Sequence, residues 1–114
     1  MTKIVCFGEI LIDLLAQPPA TPDTPRAFLQ YGGGAPGNVA VAAAKLGADT
    51  HFAGMLGQDM FGDFLAQSLS DAGVATDCIV RTDRAKTALA FVALDAHGER
   101  SFSFYRPPAA DLLF

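Results

Sequence analysis

The residues best suited to chemistry are one carboxylate, Asp13, and a run of bare backbone, Gly32-Gly33-Gly34-Ala35-Pro36-Gly37-Asn38. Four glycines in six positions carry no side chain to pack and lose the most entropy on ordering. Their use is positive φ or close approach to the main chain. The run feeds Val39-Ala40-Val41-Ala42-Ala43-Ala44-Lys45-Leu46-Gly47, an Ala-rich helix with Pro36 and Asn38 as start signals and Gly47 as the stop. Glycine backbone at a helix N-terminus offers unpaired N–H donors to an electron-rich ligand. Asp13 lies in a stretch, 9–15, whose alternation sets Glu9, Leu11, Asp13 and Leu15 on one face. A charge among Ile and Leu is costly unless it is paired or hydrogen-bonded. Two readings stand: an Asp that caps nearby amides or faces water, or a ligand carboxylate.

Arg106 is the third candidate. Alternation places it on one face with Phe102 and Phe104. It either snorkels to solvent or serves as a polar handle in an aromatic-lined pocket.

The elements that must position these groups read as an α/β chain. Residues 3–8 form a continuous apolar run, as expected of a buried parallel strand. Residues 17–25 hold four prolines and read as an exposed loop. Short strands are expected at 27–31, 50–57 and 78–80, with the Ala-rich helix between the first two. Asp59 reads as the N-cap of a second helix whose core stripe is Phe61, Phe64, Leu65 and Leu69, ended by Gly73. Residues 87–94 and 99–106 flank Asp95-Ala96-His97-Gly98 and read as a hairpin. Strand–helix–strand order is the α/β pattern. His51 and His97 are isolated and read as structural or solvent-facing.

Bulk properties exclude several function classes. The 114 residues suit one small domain or a piece of a larger one, and at 51% hydrophobic a core is within reach. A net charge of −4 with eight Lys and Arg argues against nucleic-acid binding. No segment has signal-peptide or membrane-spanning length. Cys6 and Cys78 lack metal-ligand spacing and read as reduced, structural thiols of a cytoplasmic protein.

Gly32, Gly34 and Gly37 satisfy G-x-G-x-x-G, but the context is wrong for a dinucleotide. That fingerprint follows the first strand directly and has an acidic residue about twenty residues on, at the end of the next strand. Here the first strand ends near Gly8, and Asp59 lies in a helix start. A P-loop fails because Asn38-Val39 stand where Lys and Ser/Thr are required.

The spacing instead resembles the ribokinase-like (PfkB) carbohydrate kinases. Gly33-Gly34-Ala35-Pro36-Gly37-Asn38-Val39-Ala40 is followed at the family's intervals by Gly47 and Gly57. Gly8-Glu9 with Asp13, Gly57-Gln58-Asp59-Met60-Phe61-Gly62, Gly73-Val74 and Gly98-Glu99-Arg100 agree. Phe104-Tyr105-Arg106-Pro107-Pro108-Ala109-Ala110-Asp111 looks most like the fructokinases of that family.

The resemblance implies the N-terminal part of a ribokinase-like Rossmann-type sheet with helices on both faces. It adds a small β-sheet lid from segments of about 11–32 and 86–106, all within one sugar kinase domain. It implies Asp13, Gly33, Gly34, Asn38 and Arg106 as substrate contacts, with Asp13 accepting from two hydroxyls at once. It also implies ATP and Mg2+, a homodimer formed through the lid, and fructose as substrate. 2-Keto-3-deoxygluconate and nucleoside-like sugars are the rival substrates. The family's catalytic Asp, in a Gly-Ala-Gly-Asp motif, and its nucleotide site lie further along and are not found before Phe114. The 114 residues alone are therefore expected to hold the sugar half of a kinase site and to be inactive. The rival of another class is a non-catalytic sugar-binding or dimerising module.

Overall fold

The computed structural model of the chain describes residues 2–19, 21–106 and 108–114. It is α/β, with two sheets and two helices. In chain order the elements are β1 (Lys3–Phe7), β2 (Leu11–Ala16), β3 (Phe28–Gly33), α1 (Ala35–Lys45), β4 (Asp49–Gly57), α2 (Met60–Asp71), β5 (Ile79–Thr82), β6 (Leu89–Leu94) and β7 (Arg100–Tyr105). A 3-10 turn at Ala110–Leu112 follows.

The first sheet is parallel, in the order β1-β4-β5. Both helices pack on the face that carries Cys6, Phe52 and Leu56, where Ala40 of α1 and Leu65 and Leu69 of α2 complete the core. The opposite face of β1 carries Val5 and Phe7, 56% and 65% exposed, with the Phe114 ring 5.4 Å from that of Phe7. The apolar run at 3–8 is thus a parallel strand buried on one face rather than two.

The second sheet has four strands in the order β3-β2-β6-β7, all drawn from segments 11–32 and 86–106 apart from Gly33. β2 runs antiparallel to β3 and parallel to β6, and β6 and β7 form the hairpin. Its strands begin or end within one residue of a common row: Leu11 pairs with Gly33, and Ile12 with Leu89, whose other partner is Tyr105. From that row Ile12 enters the core, and Leu14 and Leu89 pack against it. The far end, from the Ala16 and Phe28 pair to the turn after Leu94, extends away, and the molecule measures 53 × 33 × 20 Å.

Several local expectations shift. The strand expected at 9–15 starts at Leu11, leaving Glu9 in the link from β1. Gly32 and Gly33 are not loop but the end of β3, paired with Ile12 and Leu11. The N-cap of α1 is Gly34, and Asn38 sits inside the first turn, its N–H donating to the Gly34 carbonyl at 3.0 Å. Gly47 and Gly73 take φ of +93° and +90° just past their helices, the left-handed conformation that a C-terminal stop requires. Cys78 lies before β5 and is exposed, whereas Cys6 is buried; both are free thiols. Ala20 of the proline-rich loop lies outside the described residues. His51 is structural, held at 3.0 Å from Asp77 and 3.3 Å from Asp49. His97 is exposed in the hairpin turn.

Candidate sugar site

Asp13 stands in the middle of β2, in register with Tyr31 and Ala90. Alternation aims its carboxyl away from Ile12 and the main core, onto the face of a second buried cluster (Leu11, Ala88, Ala90 and Ala109) and into a hollow with Tyr31, Arg100 and Phe102. The carboxyl also packs on Gly33, where an added Cβ would meet Asp13 Oδ2, with Cγ at 2.8 Å. Glycine is needed there because the carboxyl occupies the volume of a side chain. At Gly34 the reason is backbone: φ is +95°, and a Cβ would stand 2.9 Å from the Glu9 carbonyl oxygen. The glycine run therefore seats the protein's own Asp13 and the β1–β2 link as well as leaving main chain bare.

Burial pushes the Asp13 carboxyl above the ordinary aspartate pKa, and the neighbouring Glu9 charge adds to the rise. A carboxyl held in this way gains when hydroxyl or N–H donors reach it.

Asn38 is exposed and lines a second hollow with Gly33, Gly37, Leu65 and Leu69. Gly33 borders Asp13 on one side and this hollow on the other. Arg106 does not reach Asp13 directly. Its Nη1 lies 3.2 Å from Glu9 Oε2, and its Nη2 donates to Asp111 Oδ2 at 2.9 Å. The structure thus joins Asp13 to Gly33, and links Arg106 to that pair by way of Glu9. Phe102 and Phe104 stack with ring centroids 5.8 Å apart and planes 7° from parallel.

Three residues in this region escaped the residue-by-residue reading. Glu9 was read only as a position on the Asp13 face and in a motif, and Asp111 only as a letter of a motif, because neither has a local pattern that reveals an ion pair. Thr87 is the third. Asp59 caps α2 by accepting from Gly62 N–H at 2.7 Å, and it also accepts the Thr87 hydroxyl at 2.8 Å and the Thr87 N–H at 2.9 Å. The Thr87 hydroxyl in turn accepts from Gly57 N–H at 3.0 Å, fixing the start of β6 to the end of β4. Burial opposes the Asp59 charge, yet those hydrogen bonds and the Lys86 charge outweigh it and hold its pKa below the ordinary value.

Comparison with known proteins decides the family. The profile of the pfkB family carbohydrate kinases matches residues 1–114. The chain belongs to that family. It is 48% identical over 118 residues to Fructokinase-1 of Zea mays, covering 96% of this chain and 34% of the maize protein. A crystal structure of fructokinase from Xylella fastidiosa superposes with a TM-score of 0.95 at 73% identity, covering 98% of this chain and 34% of that one. A second structure from the same organism, a fructokinase with bound ATP, gives 0.94 at 71% identity, covering 98% of this chain and 35% of that one. The chain thus spans about a third of the length of these family members.

The hollow at the start of α1 does not fit ATP. Ile10, Val41, Leu65 and Leu69 line it without a basic side chain, and a triphosphate needs cationic partners. Among the described residues no group of three His, Cys, Asp or Glu could hold a metal ion. No helix among the described residues is long and apolar enough to cross a membrane.

Proposed function

We propose that residues 1–114 are the sugar-binding portion and lid of an ATP-dependent sugar kinase that phosphorylates fructose. The nucleotide site and the catalytic Asp then lie outside these residues. One observation supports this reading most: in a chain of the pfkB family, the Asp13 carboxyl is seated on Gly33 beside an open hollow. An uncharged sugar offers only hydroxyls, and a carboxylate accepts from two of them with charge-assisted strength. Gly33 and Gly34 let the ring near the main chain, and the Asn38 amide both donates and accepts.

The four-stranded sheet acts as the lid that keeps water from the transferred phosphoryl group. Its open face exposes Leu29, Tyr31, Phe102 and Phe104. A second copy packs against that face in a homodimer, around the Asp13 hollow that opens on it beside Tyr31 and Phe102.

Titration calorimetry of fructose against the chain and against Asp13→Ala tests the assignment. Binding by the first and loss in the second is expected; equal binding by both rejects Asp13 as the sugar ligand. 2-Keto-3-deoxygluconate and a nucleoside in the same cell separate the rival substrates.

A further inference from the structure

Arg106 sits neither in open solvent nor free in a pocket. Its side chain is 23% exposed and bracketed by two carboxylates, Glu9 at 3.2 Å and Asp111 at 2.9 Å. The Asp111 side chain is 1% exposed, and among the described residues its Oδ1 is buried without a partner, as is Nε of Arg106. As a source of stability this is a poor arrangement. Desolvating two charges is costly, and apolar residues of the same volume generally do as well or better. Leaving a donor and an acceptor unpaired adds to that cost. What a buried carboxylate does supply is direction, since it fixes the plane of a guanidinium.

The surroundings support that use. Asp111 belongs to the Ala110–Leu112 turn, which is tied to the root of β6 by the Ala110 N–H donating to the Lys86 carbonyl at 2.7 Å. Glu9 belongs to the short link that opens β2, and its charge acts on Asp13. Arg106 continues the face of Phe102 and Phe104, and Phe104 pairs with Ala90, itself the partner of Asp13. Asp13 and Arg106 are thus two strands and two residues apart, about 12 Å between Cα atoms. That gap suits a monosaccharide plus the reach of an arginine.

We propose that Asp111 is a positioning residue for sugar recognition, holding the Arg106 guanidinium against Glu9 so that it faces the Asp13 end of the sheet. This rests on the sugar-binding reading above. Asp111 touches no sugar itself; its effect passes through Arg106.

A double-mutant cycle read by fructose affinity tests it. Asp111→Asn keeps the volume and weakens binding about ten-fold in the otherwise unchanged chain, as loss of an aimed charge-assisted hydrogen bond should. In an Arg106→Ala background the same change has no further effect on affinity. Glu9→Gln, on a more exposed side chain that folding tolerates, weakens binding about three-fold and is likewise silent without Arg106. A purely structural Asp111 lowers the melting temperature and leaves affinity alone, or gives effects that add across the cycle; either result overturns the proposal. If Asp13→Ala abolishes binding while Asp111→Asn and Glu9→Gln bind as the parent does, the sugar site stands and only this inference falls. If the parent chain binds no fructose, the sugar-site reading falls and this inference goes with it.

Discussion

Asp13 is held against its own preference. Its pKa is raised in the folded chain, so the protonated form is the one folding favours. The stability this lends is fully present below the unfolded pKa and is lost as pH rises through the folded one. At neutral pH the ionised carboxyl is a cost, which the hydroxyls of the proposed sugar would offset. Asp13→Asn is therefore expected to raise the melting temperature at pH 7, to leave it little changed at pH 3, and to weaken fructose binding about ten- to a hundred-fold. Scanning calorimetry at the two pH values checks the sign; a variant less stable at pH 7 contradicts the argument. Asp13 was legible as a carboxylate among Ile and Leu, since strand alternation is local. The Glu9–Arg106–Asp111 chain was not, because it joins a link, a strand end and a 3-10 turn that meet only in three dimensions. Gly33 shows the limit from the other side. Glycine signals a loop, and only pairing with Leu11 turns it into strand.

At the scale of elements, the two sheets are joined by polar groups as well as by the core. Asp59 serves both as the cap of α2 and as the anchor of Thr87 at the start of β6. Thr87→Val removes one hydroxyl but leaves Gly57 N–H buried without its acceptor and Asp59 short of a donor. A loss of about 2–3 kcal/mol is expected from urea unfolding, and a loss under about 0.5 kcal/mol would show that water replaces the hydroxyl at little cost. The depressed Asp59 pKa carries the opposite sign to that of Asp13. Its stabilisation is present above the unfolded pKa and disappears as pH falls through the folded one. The helix and its cap were readable because Asp59, the Phe61 to Leu69 stripe and Gly73 lie within one stretch of chain. The parallel pairing of β2 with β6 was not, because more than seventy residues separate Ile12 from Leu89 and no local signal records who pairs with whom.

At the scale of the molecule, apolar side chains of the described residues stay open on a face of each sheet. One is the Val5 and Phe7 face of β1, the other the Leu29, Tyr31, Phe102 and Phe104 face of the second sheet. If the second is a dimer interface as proposed, Leu29→Glu, beside the Asp13 hollow but not lining it, should shift the chain from dimer to monomer in sedimentation velocity at micromolar concentration. A parent chain that already sediments as a monomer removes the dimer from the account. α/β class and family were within reach of the sequence because motif spacing records them. The disposition of exposed faces was not, since composition alone does not say which half of a strand is covered.

All four strands of the second sheet are rooted within one residue of a common row, and Glu9, Gly33, Thr87 and Arg106 lie at or beside it. Mechanically the sheet is a cantilever whose fulcrum lies beside the proposed sugar site. With six-residue strands about 20 Å long, a rocking of roughly 10° carries the far turn about 3.5 Å while barely moving the fulcrum. A fluorophore on the Asp95 to Gly98 tip would magnify what happens at the root, reporting a captured molecule by leverage rather than by touch.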